Sequence, residues 1–206
     1  MYTPAAFREQ DGARLQALLQ AYPFAAIVAQ TAAGMSANHL PFDVNGTTLR
    51  GHVARGNELA QLDGAEVLVI FSGPHGYVSP NWYASKHDNG RAVPIWNYAV
   101  AHVHGRMRAI EDRAWLRDLL EALTRRHEAD EPKPWSISDA PQSYIEQLLG
   151  AIVGIEVVIE RIEGKFKLSQ NHPAANREGV MSGLERGRGP LDAKLAALMR
   201  RAQESI

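Results

Sequence analysis

The chain contains no cysteine, and this absence excludes several kinds of site at once. Disulfides, thiolate nucleophiles, iron–sulfur clusters and zinc sites with cysteine ligands all require thiols. No uninterrupted apolar segment approaches the roughly 18 residues of a membrane-spanning helix. The N-terminus also lacks the basic and then apolar pattern of a signal peptide. We therefore expect a cytoplasmic protein that has no membrane partner.

Neither sign of charge dominates the chain. The 22 Lys and Arg residues and the 23 Asp and Glu residues give a formal net charge of −1. This balance does not support a globally basic nucleic-acid-binding protein, although DNA binding through a local patch remains open. The sequence also has no P-loop and no Gly-x-Gly-x-x-Gly motif after a strand, so those two modes of nucleotide binding are excluded.

The pattern of hydrophobic residues predicts a mainly β fold. Closely spaced strands, with the hairpin signal Asn45-Gly46 among their turns, favour antiparallel pairing. We predict strands at 24–30, 36–44, 47–54, 65–72, 95–110 and 151–163, the last turning at Gly164 into 165–169. Helices are predicted at 11–22, 112–128 and 142–149. This order predicts a closed or nearly closed antiparallel β-barrel with peripheral α-helices.

The length of 206 residues suits one domain or one domain with a small appendage. We predict a β-barrel domain over residues 1–172. Residues 173–206 are predicted to form a C-terminal helical segment, which Gly187 to Pro190 divides in two.

Aromatic residues are concentrated in one stretch of the sequence. Two of the four tryptophans and three of the six tyrosines lie between Tyr77 and Tyr98, interleaved with glycine, proline and small polar residues. Amphipathic aromatics of this kind suit a flat, partly polar ligand such as a heteroaromatic ring. A dimer interface rich in Tyr and Trp has the same composition, and both interpretations can hold together.

Two further segments carry groups that bind ligands. Residues 50–57 place two arginines, a histidine and two glycines at the end of a strand, which suits either a phosphate cradle or an ordinary surface loop. In residues 165–171, Lys165 and Lys167 share one strand face, and an amide-bearing pair follows. Such amides can read the polar edge of a heterocycle, but an amphipathic edge strand has the same pattern.

The histidines do not define a metal site. His102 and His104 share a strand face through the two-residue period, but no third ligand has a diagnostic spacing. Half-buried, hydrogen-bonded histidines are the better interpretation, so we predict no metal.

Six motifs, in order along the chain, resemble the PaiB family of FMN-binding negative transcriptional regulators. They are Met1–Pro4, Asn38–Pro41, Arg50–Asn57, Gly73–Tyr83, Val93–Tyr98 and Lys167–Asn171. One departure is Ile95, where the family pattern has Thr. The resemblance implies an FMN-binding split β-barrel, similar to pyridoxamine-phosphate oxidase and flavin-reductase domains, that binds FMN between the subunits of a homodimer.

The resemblance also implies roles for individual residues. The phosphate and ribityl chain would be held by His52, Arg55, Asn57 and the amides of Val53 and Ala54. Asn38, His39 and Leu40 would run along the isoalloxazine, mainly through backbone groups. The ring would be closed over by Trp96, Asn97 and Tyr98, and its polar edge would meet Lys167 and Gln170. No catalytic residue is assigned.

The function implied is a flavin-binding repressor of transcription, and two other classes stay open. Basic residues on the C-terminal helices resemble a helix-turn-helix, but solvated helix faces look the same. A flavin-dependent oxidoreductase or a haem-degrading split barrel is the enzymatic alternative, because the cofactor itself supplies the redox chemistry. The third class is a partner protein without flavin turnover.

Overall fold

The computed structural model describes residues 1–86, 90–187 and 189–203. His87, Asp88 and Asn89 of the predicted polar loop lie outside the described residues. So do Arg188 and residues 204–206 of the predicted C-terminal helical segment.

Antiparallel strands dominate the described residues and form one eight-stranded sheet with the order β3-β2-β6-β7-β8-β5-β4, while β1 pairs with β8. The strands are β1 (Arg8–Glu9), β2 (Phe24–Thr31), β3 (Gly34–Pro41), β4 (Asp43–Asn45), β5 (Thr48–Ala54), β6 (Glu66–Val78), β7 (Ile95–Ile110) and β8 (Ile152–Lys167). Gly46 has a φ of 57° in the turn between β4 and β5, as the Asn-Gly signal predicts. The predicted mainly β, antiparallel fold class is confirmed.

The helices of the described residues are α1 (Gly12–Ala21), α2 (Arg113–His127), α3 (Gln142–Gly150), α4 (Ala174–Glu185) and α5 (Asp192–Gln203). Among them, α1 and α2 begin directly after the capping residues predicted for them, Asp11 and Asp112. The Asp11 carboxylate accepts the amide of Ala13, and that of Asp112 accepts the amide of Trp115 at 2.7 Å. None of the helices in the described ranges combines the length and the apolarity that crossing a membrane requires.

Two glycines have a different role from the one their sequence context predicts. Gly164 lies inside β8, so the predicted turn at this position is wrong. A Cβ at Gly164 would be 2.3 Å from Leu15 Cδ2, and a Cβ at Gly73 would be 2.5 Å from Leu18 Cδ1. Both glycines allow α1 to pack closely on a continuous strand. The strand β6 also runs through Gly73 to Val78, beyond its predicted end at Ser72.

The chain is divided into two compact units. Unit 1 contains Met1–Leu18, Ser72–Ala101 and Glu163–Ile206, and unit 2 contains Leu19–Phe71 and His102–Ile162. The C-terminal helices therefore group with earlier parts of the chain, and the domain boundary at residue 172 stays a prediction.

In unit 2, α2 covers one side of the sheet. Its Leu116 packs with Ile137, Ile145 and Leu149 in one buried cluster. The neighbouring Trp115 lies directly on β8, where a Cβ at Gly154 would be 2.3 Å from the indole. This close approach fixes the position of α2 against the strands.

In unit 1, α4 packs against the 3₁₀ turn Pro80–Trp82 through two glycines one helical turn apart. A Cβ at Gly183 would be 2.2 Å from Trp82 Cδ2, and one at Gly179 would be 2.0 Å from the Trp82 carbonyl oxygen. Small residues at both positions therefore let the indole lie against the helix backbone.

We expect Gly183→Ala to lower the free energy of unfolding by about 1–3 kcal/mol, because the added methyl overpacks against the Trp82 indole. The control is Gly12→Ala, since a Cβ there meets no described atom within 4 Å. The control should raise stability by about 0.4–1 kcal/mol by restricting the unfolded chain. Urea unfolding of both variants measures the difference, and two equal values would contradict the packing described here.

Candidate functional site

The thirteen predicted site residues fall into two groups. Unit 2 contains Asn38, His39, Leu40, His52, Val53, Ala54, Arg55 and Asn57, and unit 1 contains Trp96, Asn97, Tyr98, Lys167 and Gln170. The geometry of each group follows from the strands that carry it.

His52 lies on the outward face of β5, because side chains alternate along this strand. Leu49, Gly51 and Val53 are buried, whereas Arg50 and His52 are half-buried on the opposite face. The Nδ1 atom of His52 is buried and has no hydrogen-bond partner among the described residues. Burial lowers the pKa of His52, so the ring is neutral near pH 7. A buried ring nitrogen without a partner is free to bond a ligand.

The backbone amides of β5 alternate in direction along the ladder with β8. Arg55 donates its N–H to the Ala151 carbonyl at 2.8 Å, and Val53 lies opposite Val153 two residues along the same register. Because bonded pairs recur every second residue, the N–H of Val53 points towards β8 and that of Ala54 points away from it. Of the two predicted amides, that of Ala54 has the direction a ligand contact requires.

The Arg55 side chain is held in place by three acceptors. Its Nε donates to the Gly150 carbonyl at 2.9 Å, one terminal nitrogen donates to Glu111 at 2.8 Å, and the other donates to the Ile152 carbonyl at 3.3 Å. These bonds use three of the five N–H donors of a guanidinium. The carboxylate of Glu111 is 70% exposed, so this ion pair is screened by solvent and weak.

Asn57 joins the end of β5 to β3. Its Nδ2 donates to Asn38 Oδ1 at 2.7 Å, and its Oδ1 accepts the Leu59 amide at 2.9 Å, which caps a short 3₁₀ turn. Asn38 also donates to the hydroxyl of Ser36 at 3.4 Å. The two asparagines therefore hold the loop after β5 beside β3.

Residues 38–40 lie on the first strand in the sheet order. In the described sheet β3 pairs only with β2, so alternate backbone groups along its outer side face no strand. His39 is exposed and stacks on Phe24 with ring centres 6.0 Å apart, whereas Leu40 is buried. This edge offers backbone donors and acceptors to a ligand.

In unit 1, Trp96 and Asn97 point to opposite sides of β7. Trp96 is 54% exposed, and its ring lies 6.3 Å from Tyr77 in an edge-on arrangement. Asn97 is fully buried and donates to Ser169 Oγ at 2.9 Å. The exposed indole can contact a ligand, while the buried amide holds the strand in position.

Ser169, which sequence reasoning missed, is a strained residue at the end of β8. It is buried, and its φ of 60° is left-handed, a conformation that side-chain-bearing residues rarely adopt. Its hydroxyl donates back to Asn97 Oδ1 at 3.2 Å. Sequence reasoning could not find this residue, because a Ser at this position carries no local signal for a positive φ.

Lys167 and Gln170 lie at the same end of β8 as Ser169. The Gln170 side chain accepts the Leu168 amide at 2.7 Å and donates to the Phe166 carbonyl at 2.6 Å, so it fastens the turn. Lys167 is half-buried on the face opposite Phe166, as predicted. Near Lys165, β1 pairs with β8, which therefore is not an edge strand there.

Two further aromatic contacts lie in unit 1. The Lys165 ammonium lies 5.5 Å from the centre of the Tyr98 ring. Tyr83 stacks on His172 with ring centres 5.0 Å apart and an interplanar angle of 12°. Burial and the nearby Lys167 charge lower the pKa of His172, whereas burial raises that of Tyr83. No periodic pattern in the sequence indicates the stacked pair, since its two members are distant in the chain.

Metal-ligating side chains do not cluster in the described ranges, where no group of three or more is placed to hold an ion. That the protein binds no metal stays a prediction.

Comparison with known proteins gives concordant matches. The family described as "Putative FMN-binding domain" matches residues 1–161. An uncharacterized protein of Emericella nidulans is 33% identical over 228 residues, covering 90% of this chain and 90% of that protein. The Bacillus subtilis protein named protease synthase and sporulation protein PAI 2 is 29% identical over 205 residues, covering 97% of this chain and 96% of that protein.

Among solved structures, the FAD and heme binding protein of Mycobacterium smegmatis has a similar fold, with a TM-score of 0.58. The two are 20% identical, and the match covers 85% of this chain and 80% of that one. Such a likeness concerns the fold alone, and it confirms the predicted split-barrel class.

We expect the stability of the protein to fall as the pH drops below the ordinary histidine pKa of 6.5. The folded state keeps His52 neutral because its pKa is lowered, so the unfolded chain binds more protons in this range. His172 contributes in the same direction. Urea unfolding at pH 7 and pH 5 should show a smaller loss for His52→Gln than for the wild type. A loss of wild-type size in His52→Gln would mean that this imidazole is not buried.

Proposed function

Because the chain belongs to the family described as "Putative FMN-binding domain" and to the PaiB type predicted from its motifs, we propose that it binds FMN between two copies of itself. The observation that carries the proposal is the buried, unpartnered Nδ1 of His52 at the phosphate-binding motif. A hydrogen-bonding group in this state is costly unless a ligand or water completes it.

The groups at the end of β5 fit a phosphate monoester. His52 offers a ring nitrogen, Ala54 an amide that points away from β8, and Arg55 the remaining donors of a fixed guanidinium. Val53 and Asn57 act by holding the backbone: Val53 through the ladder, and Asn57 by capping the following turn. Bonds from such fixed donors to an anion are strong because a charge assists them.

The isoalloxazine is proposed to lie along β3, where Asn38, His39 and Leu40 offer backbone groups at a sheet edge. When bound, FMN supplies hydride and electron transfer chemistry. The contribution of the protein is to position the ring and to exclude water from one of its sides.

The second copy is proposed to close over the ring with Trp96 and Tyr98. Lys167 would meet the polar edge, where a cation stabilises an anionic reduced flavin. Asn97 and Gln170, whose amides bond within their own unit, would keep these side chains in place. The exposure of Trp96, Phe24 and Met35, each above one half, is typical of surfaces that a partner covers.

The regulatory role implied by the PaiB resemblance is part of the proposal, but direct DNA contact is not favoured. Arg200 on α5 pairs with Glu185 at 2.7 Å and with Glu178 at 3.5 Å, which reduces the positive charge this face presents. A salt-dependent mobility shift with duplex DNA would test direct contact. The flavin-dependent oxidoreductase stays the alternative, and NADPH consumption by the FMN-loaded protein would favour it.

We expect Arg55→Ala to weaken FMN binding by about 10- to 100-fold, since hydrogen bonds to a charged group contribute about 1.5–3 kcal/mol. The matched control is Arg113→Ala, which removes another exposed arginine that pairs with a carboxylate, here Glu146 at 2.8 Å. Flavin absorbance after equilibrium dialysis gives both affinities. Equal losses in the two variants would refute the phosphate assignment.

Trp96→Ala is expected to weaken FMN binding and dimerisation together, each by about tenfold or more, because a tryptophan at the centre of an interface contributes strongly. Trp135→Ala provides the control, as Trp135 is 44% exposed and is not one of the proposed site residues. Light scattering and dialysis measure the two effects. A Trp96 variant that remains dimeric with unchanged FMN affinity would remove this residue from the site.

A further inference from the structure

A groove in unit 2 lies between α2 and the loop that follows this helix. Its volume of about 500 Å³ is within the range of small-molecule sites. All the residues that line it lie between Arg117 and Ser138, in a continuously described part of the chain. The groove shares no residue with the proposed FMN contacts, so FMN binding does not account for it.

Hydrogen bonds within the loop hold one wall of this groove in place. The Glu128 carboxylate accepts the Trp135 amide at 2.9 Å, and the Ser136 amide donates to the Asp139 carboxylate at 2.9 Å. The neighbouring Ile137 is buried in the apolar cluster that α2 shares with α3. Because these contacts anchor the loop on both sides of Trp135, ligand binding needs little ordering of the loop.

The loop also offers an aromatic ring to the groove. Trp135 is 44% exposed, although its side chain is large and mostly apolar. Ala129 and Pro134 line the same groove and add further apolar surface. An exposed indole is a face on which the ring of a ligand can stack. The groove therefore suits a ligand that carries an aromatic group.

The helix side of the groove carries charges of alternating sign. Four side chains at intervals of three or four residues follow one side of it: Arg117, Glu121, Arg125 and Glu128. The first is paired with a carboxylate of α3 at 2.7 Å, and the last holds the loop. In the described parts of the chain, Glu121 and Arg125 form neither a hydrogen bond nor an ion pair. One negative and one positive charge are therefore open to a ligand.

The two open charges are close enough to bind one small molecule together. Residues four apart on a helix are neighbours, with about 5–6 Å between their Cβ atoms. Glu121 and Arg125 are both exposed, so any attraction between them is screened by solvent and weak. A molecule that carries both an ammonium and a carboxylate replaces this attraction with two charge-assisted hydrogen bonds.

Two hydroxyls of the loop add a donor for the carboxylate. Ser136 and Ser138 bond to each other with 2.6 Å between their Oγ atoms, and both line the groove. This bond uses one of the two hydroxyl protons, so the other can be donated to an anionic oxygen.

We propose that this groove binds a free α-amino acid with an aromatic side chain. Its carboxylate bonds to Arg125, its ammonium bonds to Glu121, and its ring lies on Trp135. A ligand of a single charge leaves one of the two helix charges unmatched, so the zwitterion binds most tightly. The site goes beyond FMN binding and does not require it, because the two sets of residues are separate.

The experiment compares L-phenylalanine with two probes that each lack one of its charged groups, phenethylamine and 3-phenylpropionate. Isothermal titration calorimetry is done on the full chain near pH 7 and at one ionic strength, because salt screens exposed charges. L-Phenylalanine should bind at least tenfold more tightly than either probe, as the loss of one hydrogen bond between charged groups requires.

Two variants assign the charges. Arg125→Gln should weaken L-phenylalanine and 3-phenylpropionate about tenfold without weakening phenethylamine, which has no carboxylate. Glu121→Gln should weaken L-phenylalanine and phenethylamine by a similar factor without weakening 3-phenylpropionate, which has no ammonium.

The control is Arg106→Gln, which removes another exposed arginine of unit 2 that pairs with a carboxylate, here Glu66 at 2.9 Å. Arg106 is not among the residues that line the groove, so all three affinities should stay within about twofold. Trp135→Leu leaves both charges intact, and it should weaken all three probes about three- to tenfold by removing the ring face.

Equal affinities for L-phenylalanine and the two single-charge probes would overturn the proposal, and so would undetectable binding of L-phenylalanine at millimolar concentration. An Arg125→Gln variant that weakens phenethylamine as much as L-phenylalanine would also overturn it, because the guanidinium would then not act on the carboxylate. If FMN fails to bind while L-phenylalanine binds as expected, the FMN proposal fails and the amino-acid site stands.

Discussion

The antiparallel ladder between β5 and β8 is the constraint on which the proposed phosphate site depends. Its register places His52 opposite Gly154 and Val53 opposite Val153, and the alternation of the strand then decides which way each group points. A slip of one residue would bury the His52 ring in the core and turn the Ala54 amide towards β8. The register is protected from such a slip because Leu49 and Val53 are buried on one face while Trp115 lies on Gly154.

In unit 1 a buried polar pair has the corresponding role. Asn97 and Ser169 bond to each other inside the unit, and this buried bond helps to hold the left-handed backbone at Ser169. Trp96 directly precedes Asn97 and points to the opposite, exposed side of β7. Lys167 lies half-buried at the end of β8, two residues before Ser169. The residues that we propose as ligand contacts are thus positioned by buried neighbours.

Local signals in the sequence predicted most of the elements. The segment Ile95–Ile110 was predicted to be one long strand or two bent ones, and the structure has one continuous strand with these bounds. The helix α2 was predicted because Asp112 caps it and Leu116, Leu119 and Leu123 recur on one face. Gly164 was misassigned as a turn because a glycine that accommodates Leu15 looks the same in sequence as one that allows a turn.

Side-chain partners from distant segments could not be predicted in the same way. The carbonyls of Gly150 and Ile152 that hold Arg55 lie about a hundred residues away in sequence, and nothing near Arg55 indicates them. Likewise, the motifs named Asn97 and Gln170 as site residues, but only the fold indicates that their amides are bonded internally. Motifs therefore named the segments of the proposed site, while the fold indicates which of their side chains bond internally and which face outwards.

The central claim is that the end of β5 binds the phosphate of FMN, and riboflavin tests it most directly because it differs from FMN only by lacking that phosphate. Affinities of both flavins for the wild-type chain are compared by equilibrium dialysis at one ionic strength. The account predicts that FMN binds at least tenfold more tightly than riboflavin, as bonds from fixed donors to a charged group require. Equal affinities for the two flavins would contradict it.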